Sequence, residues 1–314
     1  MRSALMICAL AASPVAGAPV LEFPVDCTLG TTCYVEDYLD HDASEARKDF
    51  ACGLNTRDAH GGTDIALLSF DAMESGVDVL AAAPGTVIGI RDSMADTRDA
   101  NVPSNIACGN GVRIDHGDGW HTQYCHLKLG SVSVRQGDEV RAGTVLGQIG
   151  LSGQSNHPHL HLSLEHQGKD VDPFALEGAE TCGEDTTQMW SDPLPYYDTG
   201  FYTAAFANAV PTLEDARTGA KRRTTSKPDQ PLVLYGYFYL AKPGDRLEFT
   251  ARGPGGTIFG HDLDLGNPRK SHMQAYGRRA PAGGWPAGFY EGTVRLMRGD
   301  TLIALRHSHI TVRD

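Results

Sequence analysis

Three histidine-containing segments of the sequence could together hold a catalytic metal ion. They contain His60 with Asp64, then His126, and then His159 with His161. A catalytic zinc site uses three ligands, drawn here from histidine and aspartate, and keeps a fourth position open for water. Bound zinc lowers the pKa of that water to about 7 and polarises a carbonyl group. These residue types therefore indicate metal-dependent hydrolysis of an amide.

The segment 159–164 predicts how two of these histidines are positioned. Successive side chains of a strand point to opposite faces. Both histidines and Ser163 would share one face, and Leu160, Leu162 and Leu164 would share the other. We expect the leucines to be buried and the imidazoles to project into a cleft. The alternative is an exposed polar strand face whose two histidines have no functional role.

The same alternation applies to the segment 120–126. It places Trp120, Thr122, Tyr124 and His126 on one face and His121 on the opposite face, which we expect to lie at the surface. Taken alone, His126 is equally compatible with a structural core histidine.

His60 and Asp64 are four residues apart, but Gly61 and Gly62 disfavour a helix between them. A glycine turn could instead direct both side chains to one ion. With His161 as the third ligand, the metal site is complete.

His126 and His159 would then lie beside the ion without binding it. There they could orient or deprotonate the water, stabilise the tetrahedral oxyanion and protonate the leaving nitrogen. The sequence does not divide these tasks between the two histidines.

Short strands and glycine turns dominate residues 56–175, which predicts an antiparallel β domain. Two hairpins are expected, one joining 77–81 to 86–90 and one joining 110–116 to 120–126. Residues 66–73 are the one segment suited to a short helix or loop excursion.

The cysteine content favours an exported protein. A secretory signal at 1–18 would remove Cys8 and leave six of the seven cysteines, an even number typical of disulfides. Cys108 and Cys125 would lie close together across the second hairpin and form one pair. An ordinary apolar N-terminal strand is the alternative to the signal.

The remaining regions complete the predicted organisation. Residues 19–55 form a disulfide-stapled arm, 56–180 the main β domain, 181–230 a linker and 231–314 a small immunoglobulin-like β-sandwich. The fold class is therefore all-β.

The charge balance excludes two classes of partner. The formal net charge is −12 and no basic cluster occurs, which argues against nucleic acid and against anionic membranes. No run of about 18 apolar residues follows the N-terminus, so no transmembrane segment is expected.

The histidine motifs, in this order, resemble those of the lysostaphin/LytM-type zinc metallopeptidases, which cleave peptide cross-links in bacterial peptidoglycan. That family has H-x-G-x-D, then Y-x-H-L, then P-H-L-H. This chain has H-G-G-T-D at 60–64, Y-C-H-L at 124–127 and P-H-L-H at 158–161. The resemblance covers about residues 56–175.

The resemblance implies one Zn²⁺ per chain, bound by His60, Asp64 and His161, with His126 and His159 as catalytic residues. It implies a secreted endopeptidase, periplasmic or extracellular, that acts on peptidoglycan stem peptides or cross-links. The alternative function is that of a non-catalytic scaffold of the same fold, which activates a partner amidase. An iron oxygenase with a two-histidine, one-carboxylate site is a third class.

Some positions depart from the family pattern, and the resemblance does not assign a role to others. Ala59 replaces a larger residue, and His157 replaces a commoner small residue before the last motif; we interpret His157 as a spectator. His41 and His116 are interpreted as structural, and Asn55 is a speculative inhibitory residue. The C-terminal domain lies outside the resemblance and could hold a protein or glycan partner.

Overall fold

The computed structural model describes residues 17–68, 70–97, 102–176, 187–267 and 271–314. Almost all of the predicted signal segment lies outside these residues. The described residues form antiparallel sheets with two short α-helices, so the all-β prediction is confirmed. None of the helices in these ranges is long and apolar enough to cross a membrane.

The described residues of the N-terminal half contain ten strands, a 3-10 helix (Ser104–Ile106) and one α-helix, α1 (Phe70–Ser75), which lies at the predicted helix or loop excursion. The strands are β1 (Cys33–Asp37), β2 (Thr63–Leu67), β3 (Asp78–Leu80), β4 (Gly85–Arg91), β5 (Asn110–Gly117), β6 (Trp120–Leu127), β7 (Glu139–Val140), β8 (Val145–Gln148), β9 (His159–His166) and β10 (Lys169–Asp170).

One large antiparallel sheet carries the histidine motifs. Its strand order is β1-β2-β9-β6-β5-β4-β7, with β10 paired to β9. Leu160, Leu162 and Leu164 on β9 are almost fully buried in the core beneath this sheet. The predicted faces of β9 are therefore confirmed, and His159 and His161 lie on the side away from that core.

The two predicted hairpins have different outcomes. β5 and β6 pair as expected, and a disulfide joins Cys108 to Cys125 beside them. The other hairpin prediction is wrong, because β3 pairs with β8 while β4 pairs with β5 and β7. The residues 81–83 between β3 and β4 are buried, so the chain passes through the core from one sheet to another instead of turning back on itself.

The N-terminal arm is more regular than predicted. Strand β1, within 19–55, pairs with β2 and forms an edge of the large sheet. A disulfide joins Cys27 to Cys33, and Cys52 is also disulfide-bonded. The arm is therefore stapled, as expected, but it also extends the main sheet.

The C-terminal half contains eight strands and helix α2 (Leu213–Thr218). The strands are β11 (Gly200–Ala207), β12 (Thr225–Ser226), β13 (Leu232–Tyr239), β14 (Asp245–Gly253), β15 (Gly256–Asp264), β16 (Ser271–Arg278), β17 (Gly288–Arg298) and β18 (Thr301–Val312). They form a sheet of order β11-β13-β16 and a sheet of order β12-β18-β17-β14-β15.

These two sheets enclose one hydrophobic core, so this half is a β-sandwich. The sequence did not predict β11, which lies within the expected linker 181–230 and pairs with β13. Most of β11 is buried on both faces, so its residues lack the polar-apolar alternation that marks a half-buried strand. The immunoglobulin-like topology stays a prediction.

The sandwich packs directly against the N-terminal half. The Tyr34 hydroxyl on β1 donates a hydrogen bond to the Leu305 carbonyl on β18, and both side chains belong to one small apolar cluster. Strand β18 therefore lies next to the edge of the large sheet, where it reaches the histidine face.

Candidate metal and catalytic site

Strand pairing brings the predicted ligands together. Asp64 on β2 lies directly opposite His161 on β9, and Ala66 lies opposite His159. Directly opposed residues of an antiparallel pair share a face. His60 precedes β2 and is followed by Gly61 and Gly62. A side chain at Gly62 would collide with the His161 ring, because its Cβ would lie 2.8 Å from Nε2.

Three donor atoms converge at the centre of this face. The distance from His60 Nε2 to His161 Nδ1 is 3.1 Å, that from His60 Nε2 to Asp64 Oδ1 is 3.1 Å, and that from His161 Nδ1 to Asp64 Oδ1 is 2.7 Å. Zinc bonds of about 2.0–2.1 Å in a tetrahedral site require donors roughly 3.3 Å apart. The three donors fit a zinc ion after small outward shifts.

Neighbouring groups fix which ring nitrogens face this centre. His60 Nδ1 donates a hydrogen bond of 2.7 Å to the Tyr38 carbonyl, which leaves Nε2 with its lone pair. His161 Nε2 lies 3.0 Å from Ser163 Oγ, which leaves Nδ1 for the centre. Metal-binding histidines almost always hold their second nitrogen in this way.

The second oxygen of Asp64 has its own partner. Arg57 Nη1 donates to Asp64 Oδ2 at 2.5 Å. Burial alone would raise the pKa of Asp64, but favourable electrostatic interactions with His60 and Arg57 outweigh burial and hold that pKa well below its ordinary value. Asp64 is therefore a carboxylate, the form that binds metal.

His126 reaches the site through an unusual backbone conformation. Its φ of 65° lies in the left-handed region, which non-glycine residues rarely adopt. Cys125 pairs with His161, so strict alternation would direct His126 to the core with Tyr124. The prediction that His126 shares the face of Trp120 and Tyr124 is wrong, because the left-handed residue turns its side chain into the cleft.

His126 is held as a neutral imidazole. Its Nδ1 donates a hydrogen bond of 2.8 Å to the Ser152 carbonyl, so Nε2 carries the lone pair. Burial, with the nearby rings of His159 and His161, holds the pKa of His126 well below its ordinary value. A neutral histidine can accept a proton.

His159 lies beside it and makes a similar hydrogen bond to a backbone carbonyl. Its Nδ1 donates 2.8 Å to the His157 carbonyl, and its Nε2 lies 3.7 Å from Asp64 Oδ2. The His126 and His159 ring centroids are 4.6 Å apart. His159 Nε2 is buried without a hydrogen-bond partner among the described residues, which is costly unless a substrate or water pairs with it.

These five side chains line one cleft of about 690 Å³. Its wall also includes Arg306, His307 and His309 of β18. The sequence did not predict this wall, nor the role of Arg57, because neither belongs to a recognisable motif.

The other predicted positions lie as follows. His41 pairs with Asp172 at 2.8 Å, and His116 bonds to the Pro84 carbonyl and Thr122, so both have structural roles. The Asn55 side chain instead bonds to the Tyr197 carbonyl and the Tyr239 hydroxyl. Asn55 is not among the residues that line the cleft, so the suggestion that it inhibits the site is wrong.

Comparison with known proteins agrees with the histidine motifs. Residues 58–173 match the sequence profile of peptidase family M23. The chain contains a peptidase family M23 domain. The matched residues include His60, Asp64, His126, His159 and His161.

Several curated proteins are similar to this M23 domain. Lysostaphin of Staphylococcus simulans is 30% identical over 109 residues, which is 35% of this chain and 19% of lysostaphin. The peptidoglycan DD-endopeptidase ShyA of Vibrio cholerae is 33% identical over 112 residues, 36% of this chain and 21% of ShyA. The cell division protein DipM of Caulobacter vibrioides is 39% identical over 71 residues, which is 21% of this chain and 11% of DipM. The similarity thus spans about a fifth or less of each relative's length.

Solved structures give matches of the same kind. A putative peptidase M23 from Pseudomonas aeruginosa is 26% identical, with a TM-score of 0.32 over 52% of this chain and 54% of that one. The catalytic domain of lysostaphin from Staphylococcus simulans is 25% identical, with a TM-score of 0.28 over 37% of this chain and 77% of that one.

Proposed function

We propose that this protein is a zinc-dependent endopeptidase that hydrolyses peptide bonds of peptidoglycan stem peptides or cross-links. The observation that carries the proposal is the convergence of His60 Nε2, Asp64 Oδ1 and His161 Nδ1 within 3.1 Å of one another. These atoms would hold a zinc ion, which would supply the Lewis acidity for activating water and polarising a carbonyl group.

The two remaining histidines are proposed to move protons. His126 and His159 each donate through Nδ1 to a backbone carbonyl, so each directs Nε2 into the cleft. A neutral imidazole there can take a proton from the attacking water. The protonated ring can then stabilise negative charge on the tetrahedral carbonyl oxygen or protonate the leaving nitrogen.

The substrate class is supported by the names of the relatives. ShyA is a peptidoglycan DD-endopeptidase, and Mpg of Neisseria meningitidis, 41% identical over 68 residues, is a DD-carboxypeptidase/endopeptidase. Disulfides persist in oxidising compartments, which supports export to the periplasm or the cell exterior. A protein or glycan partner for the C-terminal sandwich stays a prediction.

Digestion of purified sacculi tests the proposal. The zinc-loaded protein should release soluble fragments with newly freed peptide amino groups, identified by mass spectrometry. Chelator should stop the release and added zinc should restore it. His121→Ala, a change on the same sheet outside the cleft lining, is the matched control and should retain full release.

The alternative function is a scaffold that activates a partner amidase. The site does not favour the scaffold, because the three candidate ligands and the two candidate catalytic histidines all face one cleft. If the zinc-loaded protein released nothing alone but increased release by an added amidase, the scaffold would replace the endopeptidase. Release that is insensitive to chelator would exclude the metal mechanism.

A further inference from the structure

We infer that Arg57 is a positioning residue for Asp64, and that Arg306 of the C-terminal sandwich contributes to this positioning. Arg306 holds Asp37, and Asp37 in turn holds Arg57. We call these four residues the Asp64–Arg57–Asp37–Arg306 network. The inference rests on the proposed zinc site, since Asp64 matters here as a metal ligand. It assigns the C-terminal sandwich a part in metal binding.

The network is a continuous path of charged contacts. Arg57 Nη1 donates to Asp64 Oδ2 at 2.5 Å and to Asp37 Oδ2 at 2.6 Å. Arg306 Nη2 donates to the other oxygen of Asp37 at 3.2 Å. Three contacts therefore link strand β18 of the sandwich to a candidate zinc ligand in the M23 domain.

The contact with Arg57 determines how Asp64 can bind an ion. A free carboxylate can rotate and offer either oxygen. Here Arg57 holds Oδ2, so Oδ1 is the oxygen that lies 3.1 Å from His60 Nε2 and 2.7 Å from His161 Nδ1. Losing such an outer hydrogen-bond partner typically weakens metal affinity about 10–100-fold.

The positive charge of Arg57 opposes this effect, because it lies close to a bound cation. Asp37 offsets that charge directly, and the network with Glu36 contains three carboxylates against two guanidinium groups. The Arg57 side chain is also half-exposed, so solvent screens its charge. We therefore expect the positioning effect to exceed the repulsion.

The sandwich fixes Asp37 because Arg306 is itself tightly held. Arg306 Nη1 donates to the Tyr34 hydroxyl at 3.1 Å and to Glu36 at 2.9 Å, both on β1. The Arg306 side chain is 18% exposed, so these contacts are screened less than those of surface pairs. Docking of β18 on β1 thus sets the position of Asp37, and Asp37 sets that of Arg57.

The first test measures zinc affinity directly, by competition with a chromophoric chelator, independently of hydrolysis. Arg57→Met should weaken zinc binding about 10–100-fold. Arg57→Lys should restore most of the affinity, because an ammonium group can still lie between the two carboxylates. A purely structural role would lower the melting temperature of the metal-free protein without separating these two variants in zinc affinity.

The second test concerns the sandwich. Asp37→Asn, which keeps the side-chain shape, and Arg306→Met should each weaken zinc binding about 2–30-fold. Arg298→Met is the matched control: Arg298 pairs with the buried Asp245 in the same sandwich, but it is not among the residues that line the cleft. It should destabilise the sandwich while leaving the zinc affinity unchanged.

Two results would overturn the inference. One is an Arg57→Met protein that binds zinc as tightly as the original chain or more tightly, because repulsion would then dominate. The other is equal zinc affinity in the Asp37→Asn, Arg306→Met and Arg298→Met proteins. Failure of the zinc site itself is recognised separately, since the original chain would then bind zinc no better than its His161→Ala variant.

Discussion

Two clusters of similar composition lie near one another, and His157 and His307 of the second line the same cleft as the first. Each contains two histidines and one carboxylate: His60, His161 and Asp64 in the first cluster, and His157, His307 and Glu291 in the second. In the first, the imidazole centroids are 5.0 Å apart and the rings are inclined by 64°. In the second, the rings of His157 and His307 are stacked, 3.3 Å apart and inclined by 15°.

Ring orientation distinguishes the two clusters as metal sites. An imidazole binds a metal through a lone pair in the plane of its ring. The inclined rings of His60 and His161 direct two nitrogens to one point, whereas stacked parallel rings do not share such a point. One ring of the second cluster would have to leave the stack before both could bind one ion.

The charges around the second cluster also disfavour a bound cation. Burial holds the pKa of His307 well below its ordinary value, and His157, His309 and the positive charges of Arg295 and Arg306 lower it further. A cation at the second cluster would meet the same repulsion. Equal residue composition therefore gives unequal sites, and we expect one zinc ion per chain, bound by the first cluster.

The largest effect should come from removing a ligand of the first cluster. His161→Ala deletes one of three donors, so zinc binding and peptidoglycan hydrolysis should be lost together, with turnover falling about 10⁴-fold or more. Metal analysis after dialysis and release from sacculi measure both. An active His161→Ala protein would remove the distinction between the clusters.

The strand that carries His161 depends on its buried face. Leu160→Asp would place a charge in the apolar core and should destabilise the M23 domain by about 4 kcal/mol or more, because apolar neighbours do not offset desolvation. Thermal unfolding measures this. Leu160→Met is the volume-conserving control and should cost less than about 1.5 kcal/mol. A folded, soluble Leu160→Asp protein would show that the assigned faces are wrong.

A catalytic histidine should behave differently from a ligand. His159→Ala should retain zinc and lose about 10²–10⁴-fold in turnover, since a proton-transfer group is removed while the three donors stay in place. Zinc content and kcat are compared with those of His161→Ala. Equal metal loss in the two variants would contradict the separation of roles.

The smallest effect is expected in the second cluster. Glu291→Gln should leave one zinc ion bound per chain and alter its affinity less than about twofold, because the Glu291 carboxylate belongs to the second cluster and not to the three zinc donors. Isothermal titration of the metal-free protein with zinc measures the stoichiometry. Two ions per original chain, reduced to one by Glu291→Gln, would show that stacked rings can open and bind.

The sequence predicted the first cluster because each of its motifs can be recognised within a short segment of the chain. The alternation in 159–164 assigns His159 and His161 to one face, and the order of the three motifs assigns them to one domain. Antiparallel pairing of β2 with β9 then places Asp64 opposite His161. No long-range docking was needed for this prediction.

What the sequence did not predict depends on backbone exceptions and on domain packing. His126 turns into the cleft through one left-handed residue, and no neighbouring glycine signals it. Strand β11 is mostly buried on both faces and lacks alternation. Arg306 and His307 reach the cleft because β18 docks against β1, and interdomain docking leaves no periodic pattern in a single sequence.

An anomalous difference map from zinc-loaded crystals, recorded at the zinc absorption edge, tests the central claim most directly. The expected result is one strong peak about 2.0–2.2 Å from His60 Nε2, Asp64 Oδ1 and His161 Nδ1. A peak elsewhere in the cleft, or none within bonding distance of all three atoms, would contradict the account.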